Sequence, residues 1–233
     1  IALKNYLCLA ALCLFSFNAV AADEAVRYYD VELVIFENLD QASRESENWP
    51  SSVEQGLPES EVIIELNRPF PGPLPKGFDP AMTFKSLPQN KYRLGNEVKK
   101  IEQSQSRRVL LHTAWRQPGM SWEEALNVHL SRRIPAAGSG GDGQQSSLQG
   151  EAGELDAYIK VILSRYLHVD TDIVFKTRPK TGRFEFFIEE ADEPQVYQLK
   201  QLRRRIRSTE LHYLDHPVLG MLIIMHPVET DRL

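Results

Sequence analysis

Apolar and polar positions alternate with a period of two along most of the apolar parts of this chain, which is the pattern of β-strands. The longest case starts at Leu155. Leu155, Ala157, Ile159, Val161 and Leu163 fall on one side, and Asp156, Tyr158, Lys160, Ile162 and Ser164 on the other. The alternation resumes through Leu167 and Val169 to Ile173, predicting one long bent strand or two in succession, with Arg165-Tyr166 near the middle. Residues 28–36, YYDVELVIF, are apolar on both sides of the alternation and predict a strand buried on both faces. Further strands are predicted at 109–115 (VLLHTAW), 184–188 and 218–225, and at 122–134, where a helix opening at Trp122 is the alternative. Residues 196–202 read as a strand or a short helix. A different period appears at 92–104, where Leu94, Val98 and Ile101 recur at helical spacing among Lys and Glu.

Two stretches break the pattern. Residues 38–88 are polar and hold eight prolines, including Pro69-Phe70-Pro71-Gly72-Pro73-Leu74-Pro75, which neither a helix nor a central strand tolerates. They predict a long surface excursion packed on the domain, with one short strand at 62–66. Residues 135–153, PAAGSGGDGQQSSLQGEAG, predict a flexible loop at a hairpin tip, since so little apolar surface cannot offset the entropy of ordering. Pro179-Lys180-Thr181-Gly182 and Asp215-His216-Pro217 are turn signals. The fold class expected is α+β: a mainly antiparallel β-sheet built from hairpins, with few helices.

The first 21 residues, IALKNYLCLAALCLFSFNAVA, change the setting. Lys4, the apolar run at 7–17 and the small-x-small site Ala19-Val20-Ala21 predict a cleaved secretory signal peptide, leaving 22–233 as a single periplasmic domain. Neither cysteine follows a small residue, so lipidation is not expected. Both cysteines go with the leader, which removes thiolate chemistry, disulfides and cysteine-ligated metals. No remaining apolar stretch approaches the length of a membrane span. Losing Lys4 takes the formal net charge from −5 to −6, which argues against sequence-independent nucleic-acid binding.

Three clusters carry candidate chemistry. Arg165-Tyr166-Leu167-His168 is one, and Arg203-Arg204-Arg205-Ile206-Arg207 is another. Guanidinium forks bind carboxylates bidentately, and bacterial wall peptides and muramic-acid glycans carry carboxylates. The other reading is that the run neutralises the acids between Glu185 and Glu193. Trp115 and Trp122 offer a platform for sugar rings, or else core packing. The third cluster spans His212, Tyr213, Asp215 and His216. His212, Asp215 and His216 are zinc-ligand types, although Pro217 turns His216 out of a helical arrangement. Their alternative role is to cap the core and the turn. The chain lacks Gly-x-Ser-x-Gly, Ser-x-x-Lys and phosphate-loop motifs, which tilts the reading toward binding over catalysis.

At these clusters the chain resembles the CsiV family of periplasmic proteins. The matching pieces are YDVELVIFE, LLHTAWRQP, SRYLHVDTDIVF and LRRRIRSTELHYLDHPVLGMLII. The resemblance implies a non-enzymatic peptidoglycan-binding protein needed for wall integrity, without a cofactor. It also implies partnership with an outer-membrane lipoprotein that activates a class A penicillin-binding protein. It carries no site residues with it. The ligand-binding candidates Arg165, Tyr166, Arg203, Arg205, Trp115, His212 and Tyr213 rest on the physical argument alone. The competing functions are a zinc-dependent wall hydrolase centred on His212, Asp215 and His216, and a pure protein–protein adaptor docking through the proline-rich excursion.

Overall fold

The computed structural model describes residues 26–57, 62–136, 150, 152–178 and 194–229. The leader, the turn and strand expected between 179 and 188, the acidic run and most of the 135–153 loop lie outside the described residues.

In chain order the elements are β1 (Tyr28–Asn38), α1 (Gln41–Arg44), β2 (Ile63–Glu65), β3 (Lys85–Ser86), α2 (Gly95–Glu102), β4 (Arg107–Pro118), β5 (Asn127–Ile134), β6 (Gly153–Leu163), β7 (Leu167–Thr177), β8 (Val196–Ile206), β9 (His212–Asp215) and β10 (Leu219–Pro227). They form two five-stranded sheets, ordered β3-β4-β1-β10-β9 and β2-β5-β6-β7-β8. All pairings are antiparallel except β2 with β5. The fold is α+β with mainly β-structure, as the alternation predicts.

The alternation explains the layers. Val31, Leu33 and Ile35 of β1 turn toward one cluster that also holds Leu155, Ile159, Ile173 and Phe175 of the second sheet. The opposite face of β1 presents Val34 and Phe36 to Leu94 and Ile101 around α2. The short helix therefore covers the far face of the first sheet, and β1 is buried on both faces. A carboxylate fixes the helix start: Glu32, 4% exposed, accepts hydrogen bonds from the Arg93 and Leu94 amides at 2.7 and 2.9 Å. His112 Nε2 lies 2.8 Å from the same carboxylate. Burial alone would raise the Glu32 pKa, but the His112 contact and these amides outweigh it and hold it below the ordinary value.

Two details depart from the sequence pattern. The strand expected at 122–134 begins only at Asn127, because Ser121 opens a turn: its carbonyl accepts the Ala125 amide at 2.9 Å and its hydroxyl donates to Glu124. The excursion at 38–88 carries more structure than one short strand, since α1 and β3 join β2. Its described residues are tied down, with the Asp79 amide donating to the Tyr28 hydroxyl at 2.6 Å.

Gly220 sits on β10 opposite Phe36, whose ring fills the space where a Cβ would stand. A buried aromatic ring in a close-packed interior has little room to relax there. Gly220→Ala is expected to lower stability by about 1–3 kcal/mol through overpacking. Urea unfolding checks this, and an unchanged midpoint would contradict the packing described.

Candidate functional site

The β6–β7 connection is a three-residue tip, Ser164-Arg165-Tyr166, between paired Leu163 and Leu167. The Ser164 amide donates to the Tyr166 carbonyl at 3.1 Å, and His168 Nδ1 donates to the same carbonyl at 3.1 Å. Backbone bonding thus holds the tip while the Tyr166 side chain stays 43% exposed.

The β7–β8 register brings the arginine run to this tip, with His168 opposite Arg205 and Val169 opposite Arg204. Between Val169 and Thr171 the register shifts by a bulge. Asp170 there accepts the Arg203 amide at 2.6 Å, and Arg203 takes a left-handed backbone, φ 57°. A bulge re-aims side chains. Here Arg203 lies over the Trp122 ring, 5.7 Å from its centroid, and Trp122 packs on His168 at 5.1 Å. Arg205 stacks on Tyr166 at 3.4 Å, and Arg165 stands 5.9 Å from the same ring.

The cluster is cationic, and no described carboxylate forms an ion pair with its arginines. Among the described residues, arginine ion pairs involve Arg44, Arg108, Arg116, Arg178 and Arg207. Arg165, Arg203, Arg204 and Arg205 have none within 4.0 Å, and all four are exposed. A guanidinium lying flat on an aromatic ring keeps its N–H edges for an anion, and the ring holds it in place. The arrangement is therefore prepared for carboxylates.

Of the predicted ligand-binding residues, Arg165, Tyr166, Arg203 and Arg205 come together. Trp115 does not join them. It is fully buried, its Nε1–H donates to Gln117 at 2.7 Å, and it is paired with core residue Val31. The expectation that Trp115 stacks on a ligand is corrected: it is a core residue. His212 and Tyr213 belong to β9 in the other sheet. His212 Nε2 accepts the Arg207 amide at 3.0 Å, while Tyr213 stacks on Phe36 and donates to Asp215. Partial burial, that hydrogen bond and the Asp215 charge push the Tyr213 pKa up to about 12. Trp122 and His168, noted in the sequence but not among the ligand-binding candidates, join the cluster. The only signal for them was their residue type, since Trp122, His168 and Arg203 meet through tertiary contacts.

The zinc arrangement does not form either. His216 Nδ1 accepts the Val218 and Leu219 amides at 3.1 and 3.2 Å, and its ring packs on Trp49. Burial lowers the His216 pKa. Among the described residues no three His, Cys, Asp or Glu side chains converge to hold a metal ion. The reading of His212, Asp215 and His216 as a metal centre is corrected, because each is spent on a local hydrogen bond.

One titratable cluster lies at the opposite edge of the second sheet. His129 Nδ1 is 2.6 Å from Glu65 Oε1 and Nε2 is 3.0 Å from Asp156 Oδ1, with Tyr158 stacked at 4.9 Å. Two carboxylates around one imidazole require both nitrogens to donate, so the ring is an imidazolium. Burial opposes the charge, but the Glu65 hydrogen bond and the Asp156 and Glu65 charges outweigh it, and the His129 pKa is raised. A raised histidine pKa stabilises the fold fully below the unfolded value near 6.5, and this is lost as pH rises through the folded value. Unfolding curves from pH 6 to 9 are expected to show wild type losing stability relative to His129→Gln. Parallel curves would contradict the imidazolium.

Residues 4–228 match the family described as "Peptidoglycan-binding protein, CsiV". No curated protein and no solved structure matches the chain. The family match runs through every described strand of both sheets and includes the whole arginine–aromatic cluster. The chain belongs to the CsiV family of peptidoglycan-binding proteins, which points to the cell envelope.

Proposed function

We propose that the arginine–aromatic cluster at the β6–β7 tip is the surface through which this protein holds peptidoglycan. The observation that carries this reading is three exposed guanidiniums, Arg165, Arg203 and Arg205, gathered around Tyr166 and Trp122 without an ion pair among the described residues, with Arg205 stacked on Tyr166. Stem-peptide and muramic-acid carboxylates are the anions this polymer offers. Arg165, Arg203 and Arg205 pair with them, and Tyr166 and Trp122 give sugar or peptide an apolar face. An exposed guanidinium–carboxylate pair contributes only about 0.2–1 kcal/mol. Retention on the wall therefore comes from several contacts made to one polymer at once.

In the same reading the protein is exported by residues 1–21 and acts in the periplasm as a single domain, 22–233. It is a non-enzymatic accessory in wall assembly and cell-shape integrity. Its protein partner is an outer-membrane lipoprotein that activates a class A penicillin-binding protein, as the sequence resemblance implies. The test is co-sedimentation of the purified mature chain with sacculi across a salt series, together with chromatography of the supernatant. The expected result is strong pelleting at 10 mM salt that fades toward 1 M, where screening shortens to about 3 Å, with no released muropeptides. Salt-independent pelleting would contradict the cationic surface, and muropeptide release would contradict the non-enzymatic role.

A further inference from the structure

We propose that the cavity under the proline-rich excursion binds the C-terminal end of a partner polypeptide: one large apolar residue together with its free carboxylate. The cavity encloses about 380 Å³ between β2 and the segment running to β3. Pro69, Phe70, Leu74 and Phe84 wall it, and Arg68 and Lys85 stand on its rim. Volumes of this size, apolar with a few polar groups, are typical of ligand sites.

The pocket is held open by its own backbone. Phe84 is 3% exposed and takes a left-handed conformation, φ 53°, which is unfavourable for a bulky side chain. The surroundings impose it. Phe84 stacks on Phe70 at 6.2 Å, and Thr83 Oγ1 donates to the Asp79 carbonyl at 2.7 Å. Asn67, itself at φ 65°, clips the excursion to β3: its Nδ2 donates to Ser86 Oγ at 2.9 Å, and the Ser86 amide donates to its Oδ1 at 3.1 Å. Strain kept in place beside a preformed cavity is a mark of function, and preformed walls reduce the ordering cost of binding.

Charge selects the ligand. Among the described residues Arg68 and Lys85 make no ion pair, while Glu65, the third charged residue lining the cavity, is engaged with His129. The rim is therefore cationic, and the walls are apolar. A chain terminus delivers both complements from one Cα, a large side chain for the walls and a carboxylate for the rim. The alanine methyl at the end of a wall peptide would leave most of the volume empty. The pocket lies at the β2 edge of the second sheet and the arginine cluster on β8 at the opposite edge. The protein can therefore hold the wall at one edge and a partner's chain end at the other.

The experiment is fluorescence anisotropy of the mature chain with a fluorescein-labelled Gly-Ser-Gly-Ser-Leu-Phe peptide, as the free acid and as the C-terminal amide. The free acid is expected to bind about tenfold more tightly than the amide, the discrimination a charge-assisted bidentate contact supplies. Arg68→Ala/Lys85→Ala should erase that difference, and Leu74→Trp, which fills the cavity and leaves the cations, should abolish binding of both. Both variants should pellet with sacculi as wild type does, which separates a failure here from a failure at the arginine cluster and shows the chains are folded. Equal affinity for acid and amide, undiminished binding by Leu74→Trp, or displacement of the peptide by muramyl pentapeptide would each overturn the assignment.

Discussion

Replacing Glu37 with alanine is expected to destabilise the protein by about 3–5 kcal/mol, the cost of stranding buried charge by removing one partner. Glu37 lies on β1 with no exposed surface, and its two carboxylate oxygens serve two arginines. Arg44 of α1 pairs with one oxygen, and Arg108 of β4 donates Nε–H to the other at 2.9 Å. Neither guanidinium finds water easily, with side-chain exposures of 16% and 12%. Arg44 also lies over the Tyr197 ring at 5.6 Å, so the carboxylate joins β1 to the start of the excursion and to β8. Arg108 reaches further: its Nη1 donates to the Pro135 carbonyl at 3.1 Å, and its guanidinium occupies the space a Cβ would need at Gly150. One carboxylate thus organises both described ends of the 135–153 loop. Domains of this kind have total stabilities of about 5–15 kcal/mol, so the loss is a large share. Urea unfolding at pH 7 is the measurement. Glu37→Gln, which keeps the shape and loses the charge, should fall between wild type and Glu37→Ala. A loss under about 1 kcal/mol for Glu37→Ala would show that the two arginines re-solvate freely.

The second large effect concerns binding. Arg203→Ala/Arg205→Ala is expected to weaken each wall contact by roughly 2- to 30-fold, from two pairs at 0.2–1 kcal/mol apiece. Because retention multiplies several such contacts, pelleting should fall more steeply than that figure. Tyr166→Ala removes the ring on which Arg205 rests and leaves all the charge. It should weaken binding by less than the double arginine variant, since only the positioning of the guanidinium is lost. Arg203→Lys/Arg205→Lys keeps the charge but loses the flat fork, and should fall between wild type and the alanine variant. If the lysine variant equals wild type, net charge alone accounts for the binding and the stacked geometry contributes nothing. All of these positions are exposed, so unfolding midpoints should stay within about 0.5 kcal/mol of wild type.

Much of the fold could be read from alternation alone. The double-sided apolar run of β1, the strands at β4 and β10 and the helical spacing of α2 all follow from local pattern, because each buries a face that its own residues define. The β6–β7 hairpin was half legible. Ser164-Arg165-Tyr166 holds no Gly, Pro or Asn, so the period-two signal ran on past a turn made by backbone bonds to the Tyr166 carbonyl. The pairing of β1 with both β4 and β10, and the split into two sheets, are long-range facts that no local window contains. The bulge at Asp170 was invisible for a related reason: it places Arg203, not a glycine, in the left-handed region.

The site was legible as residue types and not as an arrangement. Arg165, Tyr166, Arg203 and Arg205 stood out as clustered guanidiniums and aromatics, and pairing of β7 with β8 brings them together. Trp115 was misplaced because both faces of 109–115 carry apolar residues, so alternation could not tell which face is inward. Trp122 holds the position expected of Trp115, supplied by a loop that reads ambiguously as helix or strand. His212, Asp215 and His216 looked like metal ligands only because sequence proximity does not reveal their hydrogen bonds to near neighbours in the chain.

On the proposed reading, guanidiniums of the β6–β7 tip and β8 hold the carboxylates of peptidoglycan. The most direct measurement is co-sedimentation of wild-type protein with two preparations of the same sacculi, one native and one with carboxylates converted to amides by carbodiimide and ammonia. Wild type is expected to pellet with the native sacculi and to fall, on the amidated ones, to the level of Arg203→Ala/Arg205→Ala on native sacculi. Equal pelleting of wild type with both preparations would rule out carboxylate recognition by these arginines.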